Sequence, residues 1–296
     1  MRGPTFLRSA MRLLNYRTSH GPSVAGYFKS YWVDLCSADP NLPSNVQDIL
    51  TEGYGDPKEL AARAEGAAVL EQLPSRILPP IPRPGKILCV GLNYREHAKE
   101  TGQKIPSEPL IFSKLGSAIL GHNAEIVLPD VSRQIDYEAE LVVVIGKRGR
   151  SIPAEQAWQH IAGYCCGNDV SARDWQKGKP GGQWLLGKSF DTFAPLGPWL
   201  VLAEAVADVG NLAIECRVNG KTMQASNTEN LIFPVDRLIA YISQVCTLEV
   251  GDLLFTGTPP GVGAARKPPL FLGPGDRVEV EIEQIGVLAN SVVAPE

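Results

Sequence analysis

The stretch Asp136-Tyr-Glu-Ala-Glu-Leu-Val-Val-Val-Ile145 joins a short acidic run to five consecutive apolar residues and stops at Gly146. A β-branched run of that length, ended by glycine, reads as a buried strand rather than a helix. Side chains two apart in a strand share a face, so Glu138 and Glu140 project together, with Asp136 a candidate third. Carboxylates so close repel, and burying them demands a compensating cation. Hard divalent ions such as Mg²⁺ or Mn²⁺ accept oxygen ligands of this kind and keep water or substrate in the rest of their shell. Glu-x-Glu alone is more often a solvated strand face. A second segment tips the balance. In Asn168-Asp-Val-Ser-Ala-Arg-Asp174, Ser171 and Asp174 have capping-box spacing, which sets Asp169 at a strand-to-helix turn.

Outward from this strand the pattern is mostly of short strands. Lys86-Ile-Leu-Cys-Val90 is a second apolar run ended by glycine. Ile214, Cys216 and Val218 alternate up to Asn219-Gly220, a strong hairpin signal. Val278, Val280 and Ile282 alternate with glutamates, as in a strand with one wet face. Asp56-Pro57 opens a predicted helix running to about Leu73. Two further helices are expected from Pro153 to about His160 and from Pro234 to Cys246. Many strands and few helices give a mostly-β, α+β protein. Leu78-Pro-Pro-Ile-Pro-Arg-Pro84 is stiff and extended. It marks an expected boundary between a small N-terminal cap domain, residues 1–80, and a catalytic domain, residues 83–293.

The chain of 296 residues carries 28 basic and 32 acidic side chains, a net charge of −4. That balance, with no basic stripe interleaved with aromatics, argues against a nucleic-acid or anionic-membrane partner. No apolar run approaches the ~20 residues that span a bilayer. The six cysteines form no C-x-x-C pair and stand mostly among apolar neighbours, the pattern of a reducing compartment. Without Cys/His spacing a zinc site is not expected. A cytoplasmic location follows; the mitochondrial matrix is the alternative, because residues 1–33 hold five basic residues and no acid, as a transit peptide does. Arg12-Leu-Leu-Asn-Tyr16 equally reads as a first strand, with Met11 a candidate start.

Five motifs occur in order: G-L-N-Y-R-E-H (91–97), D-Y-E-A-E-L (136–141), N-D-V-S-A-R-D (168–174), G-K-S-F-D-T-F-A-P-L-G-P (187–198) and T-G-T-P-P-G-V-G (256–263). Together they resemble the fumarylacetoacetate hydrolase superfamily, closest to its stand-alone domain-containing proteins, over roughly residues 83–293. The resemblance implies a mixed β-sandwich/roll fold, a homodimer, and Mg²⁺ or Mn²⁺ held by Glu138, Glu140 and Asp169. His-x-x-Glu on a polar helix is more often a surface ion pair; here His97 and Glu100 resemble the family's catalytic dyad, in which a carboxylate orients an imidazole and raises its basicity. Lys188 would steady the charge of a metal-bound enolate, while Arg173, Gln176 and Thr258 match substrate-binding positions. Lys114, at the end of Ile111-Phe-Ser-Lys114, lies in a recurrent segment but receives no chemical role.

The expected substrate is a small 2-oxo or β-diketo acid. The first expectation is hydrolysis of a carbon–carbon bond, as by an acylpyruvase. Keto–enol tautomerisation or decarboxylation of oxaloacetate is the alternative, because all three pass through the same enolate. A catalytically silent binding protein is the reading of another class; its mark, loss of the dyad or of an acid, is missing here.

Overall fold

The computed structural model describes residues 11–295. Its chain opens with a meander: β1 (Arg12–Thr18), β2 (Gly21–Phe28) and β3 (Tyr31–Asp34), each antiparallel to the next. Arg12 and Arg17 of the acid-free stretch therefore belong to a strand, and Lys29 to the β2–β3 turn; residues 1–10 lie outside the described residues. Helix α1 (Pro57–Glu65) starts where expected, with the Asp56 carboxylate accepting from the Lys58 and Glu59 amides. It ends at Gly66, well short of Leu73, and Ala68–Val69 pairs with β3 instead. Glycine weakens a helix by about 1 kcal/mol relative to alanine, and a strand edge was at hand to take the backbone.

The chain then passes the proline segment, where the Asn15 amide donates to the Pro79 and Pro80 carbonyls. It continues through β4 (Ile87–Gly91), α2 (Arg95–Glu100), β5 (Leu110–Lys114), β6 (Ala139–Ile145) and β7 (Ile161–Asn168). Two short helices follow, α3 (Arg173–Gln176) and α4 (Trp184–Lys188), before the long strand β8 (Ala194–Leu202). A hairpin, β9 (Ala213–Val218) and β10 (Lys221–Asn227), turns on Asn219 and Gly220 at φ 52° and 75°. Positive φ at both positions is what a type I′ turn requires, and glycine adopts it without strain. Helix α5 (Val235–Val245), β11 (Leu253–Phe255), β12 (Arg277–Ile282) and β13 (Gly286–Val293) complete the passage. The expected helix at 153–160 is a 3₁₀ helix, Ala154–His160.

Two sheets make the body. The larger runs β3-β2-β1-β8-β7-β6-β11-β4-β5, antiparallel throughout except for the β11–β4 pair. The N-terminal meander thus extends it from the β8 edge. The smaller runs β10-β9-β12-β13 and ends on Glu125–Val127, parallel to β13. The sheets pack face to face, β6 and β7 against β9, β12 and β13. Every side chain of β6 is buried, as expected for an apolar strand covered on both faces. The result is a mostly-β, α+β sandwich, and its central strand delivers the acidic run to one end.

Candidate active site

Glu140 lies in β6, and Glu138 immediately precedes it. The antiparallel register sets Ala139 opposite Asn168, and the Asp169 amide donates to the Glu138 carbonyl at 2.9 Å. One strand pair and the residues flanking it therefore carry all three acids. Their carboxylates each offer an oxygen within 4.8 Å of the other two, and all are buried. Asp136 does not join them. It accepts from Arg173 Nε at 2.8 Å and from the Gly263 and Ala264 amides at 2.7 and 3.0 Å. Strand alternation fails because β6 starts only at Ala139, and the backbone at 137–138 is not part of a regular ladder. The expected capping box is absent too: the Ser171 hydroxyl donates to the Asp169 carbonyl, while the Asp174 carboxylate accepts from Ser132 at 2.6 Å. The turn needed those bonds more than the four-residue α3 needed a cap.

Buried cations face two of the three acids. Lys188 Nζ lies 2.7 Å from Glu138 and 2.6 Å from Asp169. Lys114 Nζ bonds the other Asp169 oxygen and the Val170 carbonyl, a role the sequence did not reveal. Arg173 spreads its three nitrogens over Asp136, Glu138 and Gln176. Burial would raise Glu138, but Lys188 and Arg173 outweigh it and hold the carboxyl well below the ordinary range. Among the described residues Glu140 has no cation in contact and accepts only the Gly257 amide, at 2.7 Å. Burial, then the Asp169 and Glu138 charges, push its pKa well up. Lys188 rises because the two acids overcome its burial, whereas burial dominates Lys114 and lowers it.

This donor set fits a hard divalent cation. The oxygens converge, one acid lacks a counter-charge, and the Lys188 ammonium sits between the other two. Glu138, Glu140 and Asp169 are the residues that could hold it.

A cavity of about 470 Å³ opens beside the cluster. His97, Glu100, Glu138, Glu140, Lys188, Arg173, Gln176 and Thr258 all line it, so eight of the nine expected site residues share one space; Asp169 is not on its wall. His97 Nδ1 and Glu100 Oε2 are 3.3 Å apart across one turn of α2. The Glu100 carboxylate also accepts the Gly261 amide at 3.0 and 3.1 Å. Burial works against its charge, but His97 and that amide hold Glu100 below its ordinary value. The Thr258 hydroxyl donates to the Ala139 carbonyl and accepts from Gln224.

Other contributors were not legible. The buried Asn93 amide ties three segments, donating to the Phe233 and Thr256 carbonyls and accepting from the Phe233 amide. It steadies the loop from which Gly257 reaches Glu140. Gly257 has φ 102°, and a Cβ there would meet the Asn93 Cβ at 2.7 Å, so no other residue fits. A lysine ending an apolar strand was the one signal for Lys114.

An acidic pocket on this sandwich, with an imidazole–carboxylate pair on its wall, defines a class of enzyme acting on small molecules. Residues 86–293 match the family model for the fumarylacetoacetate (FAA) hydrolase C-terminal domain, and the chain belongs to that family. It is 50% identical over 262 residues to a Bos taurus protein named oxaloacetate tautomerase FAHD2A, mitochondrial, spanning 88% of this chain and 83% of that one. The Homo sapiens protein of the same name is 48% identical over 290 residues, spanning 96% and 92%. Among solved structures, a fumarylacetoacetate hydrolase from Exiguobacterium antarcticum superposes with TM-score 0.86 at 33% identity, covering 96% of this chain and 100% of that one. A maleylpyruvate hydrolase from Sphingobium sp. SYK-6, solved with manganese(II) and pyruvate, gives 0.78 at 31%, covering 97% and 100%. Among the described residues no helix is long and apolar enough to cross a membrane.

Proposed function

We propose that the chain catalyses keto–enol interconversion of oxaloacetate with a divalent cation, Mg²⁺ or Mn²⁺, at Glu138, Glu140 and Asp169. The observation that carries this reading is the near-full-length identity of 48–50% to proteins named oxaloacetate tautomerases. The expectation of carbon–carbon hydrolysis accordingly gives way to its alternative. A bound cation would hold the 2-oxo acid and draw off negative charge from its 2-oxo oxygen as C3 loses a proton. His97, oriented by Glu100 through Nδ1, takes that proton on its other ring nitrogen. The C3–H electron pair forms the C2=C3 double bond, and the oxygen at C2 becomes the enol hydroxyl when it is protonated. Lys188 supplies positive charge on the side where that oxygen becomes negative. Arg173, with every nitrogen engaged, holds Glu138 and Gln176 in place.

Enol absorbance of oxaloacetate, followed with wild type and His97→Ala beside a parallel acetylpyruvate cleavage assay, tests the reading. Faster cleavage of acetylpyruvate than equilibration of oxaloacetate overturns it in favour of hydrolysis, the activity named for the Sphingobium relative. Two further points share this footing. Exposed Leu110, Leu115, Leu185 and Leu186 lie on and beside β5 and the adjoining α4, and they support a homodimer contact there; sedimentation as monomer only would refute it. The word mitochondrial in both relatives' names supports that compartment over the cytoplasm. Fractionation of the source cells checks it.

A further inference from the structure

We propose that Lys177 is a specificity-determining residue, receiving the distal carboxylate of a four-carbon dicarboxylic 2-oxo acid. This rests on the reading that a 2-oxo acid binds at the acidic cluster, and it adds what selects the far end of the molecule.

Four cationic or basic residues, His97, Arg173, Lys177 and Lys188, line the cavity. His97 is engaged by Glu100, Arg173 by Asp136, Glu138 and Gln176, and Lys188 by Glu138 and Asp169. Lys177 makes no side-chain hydrogen bond and no ion pair among the described residues. It follows α3 directly, and its amide donates to the Arg173 carbonyl at 2.9 Å, so its backbone is anchored to the site. The next lysine along, Lys179, is taken elsewhere, with Nζ 4.8 Å from the centre of the Trp175 ring. Among the described residues Lys177 is therefore the one free ammonium on the wall.

Contacts in the cluster point the same way. Asp136, Glu138 and Asp169 are each in contact with Lys114, Arg173 or Lys188. Lys177 forms an ion pair with none of them among the described residues. Lys177 is exposed on the cavity wall; burial of its ammonium against that wall, and next the Arg173 charge, lower its pKa, while the Glu138 and Asp136 charges raise it. An anion arriving at the cavity mouth, beyond the atoms held at the acidic end, is the ligand such a group lacks. Pyruvate-like acids with an apolar tail offer nothing to it; a dicarboxylate does.

The test compares Lys177→Met and Lys177→Arg with wild type. Kinetics would use oxaloacetate and phenylpyruvate, which tautomerise alike but differ in the distal carboxylate. Calorimetry would use the unreactive pair L-malate and 2-hydroxybutyrate. In Lys177→Met the ratio of kcat/KM for oxaloacetate to that for phenylpyruvate is expected to fall about ten- to a hundredfold, through KM. The preference for malate over 2-hydroxybutyrate should fall alike, the size expected for one charged hydrogen bond. Lys177→Arg should restore most of both. An unchanged ratio in Lys177→Met, with wild type active, overturns the role of Lys177 alone. Wild type that neither turns over oxaloacetate nor binds malate overturns the underlying reading instead.

Discussion

The two walls of the cavity are built differently. Glu138, Glu140 and Asp169 stand on or beside the ends of adjacent antiparallel strands in the middle of the larger sheet, all buried, with Glu138 and Asp169 cross-bonded by Lys114, Arg173 and Lys188. His97 and Glu100 stand on the six-residue α2, whose N-terminus has no side-chain cap, and one 3.3 Å contact plus the Gly261 amide fix the pair. The wall that concentrates charge is made rigid by the core; the wall that handles protons is held by a few local bonds. Burying like charges requires strong scaffolding, whereas moving a proton needs only an imidazole at the right place with the right partner.

That contrast can be broken most directly at His97. His97→Ala is expected to lower the turnover of oxaloacetate by about 10²–10⁴-fold while shifting the melting temperature little, because α2 adds little to the core. A large loss of stability in this variant would show that the helix wall is structural after all. Leu141→Ala, in the fully buried β6, should do the reverse. It should cost about 2–5 kcal/mol in denaturant unfolding and leave activity per folded molecule nearly intact.

A metal-dependent effect should follow in size. EDTA treatment of protein shown to contain metal is expected to lower the melting temperature by several degrees, since ligand present at a hundred times its Kd stabilises by about 2.7 kcal/mol. Glu138→Ala should abolish that sensitivity, and an unchanged melting curve in wild type would count against a cation at the acidic cluster.

The smallest expected effect concerns Glu100. Its carboxyl titrates lower in the folded protein than in the unfolded chain, so the folded state binds fewer protons in between, and stability rises with pH there. The contribution is complete above the ordinary carboxylate value of about 4.3 and is lost as pH falls through the lower folded value. The protection factor of the Gly261 amide, the unstructured exchange rate divided by its own at the same pH, should therefore fall below about pH 4, and Glu100→Gln should flatten that dependence. An equal fall in protection in wild type and variant would assign it to something other than this carboxylate.

Legibility follows sequence distance. Glu138 and Glu140 could be read because strand period and an apolar run sit in one short segment, and His97 with Glu100 because three residues make one helical turn. Asp136 misled, since the alternation it was read by begins only at Ala139. The expected helix to Leu73 failed because Gly66 ends it and β3 takes the backbone beyond. Lys114 was seen but not understood. Its partner Asp169 lies 55 positions away, and nothing local to Ile111-Phe-Ser-Lys114 says which acid the strand will meet.

What the sequence determined by itself was the inventory: a mostly-β chain, a strand carrying two acids, an imidazole with a carboxylate one turn on, and five ordered motifs that identify the family. Side-chain period and local spacing are properties of neighbouring residues, so they survive without coordinates. Tertiary structure alone decided the electrostatics. It set which acids meet a lysine, left Glu140 without one, lent the Gly257 and Gly261 amides to Glu140 and Glu100, and kept Lys177 free. Coulomb energy and desolvation depend on distances across the fold, and strand register, not chain order, fixes those distances.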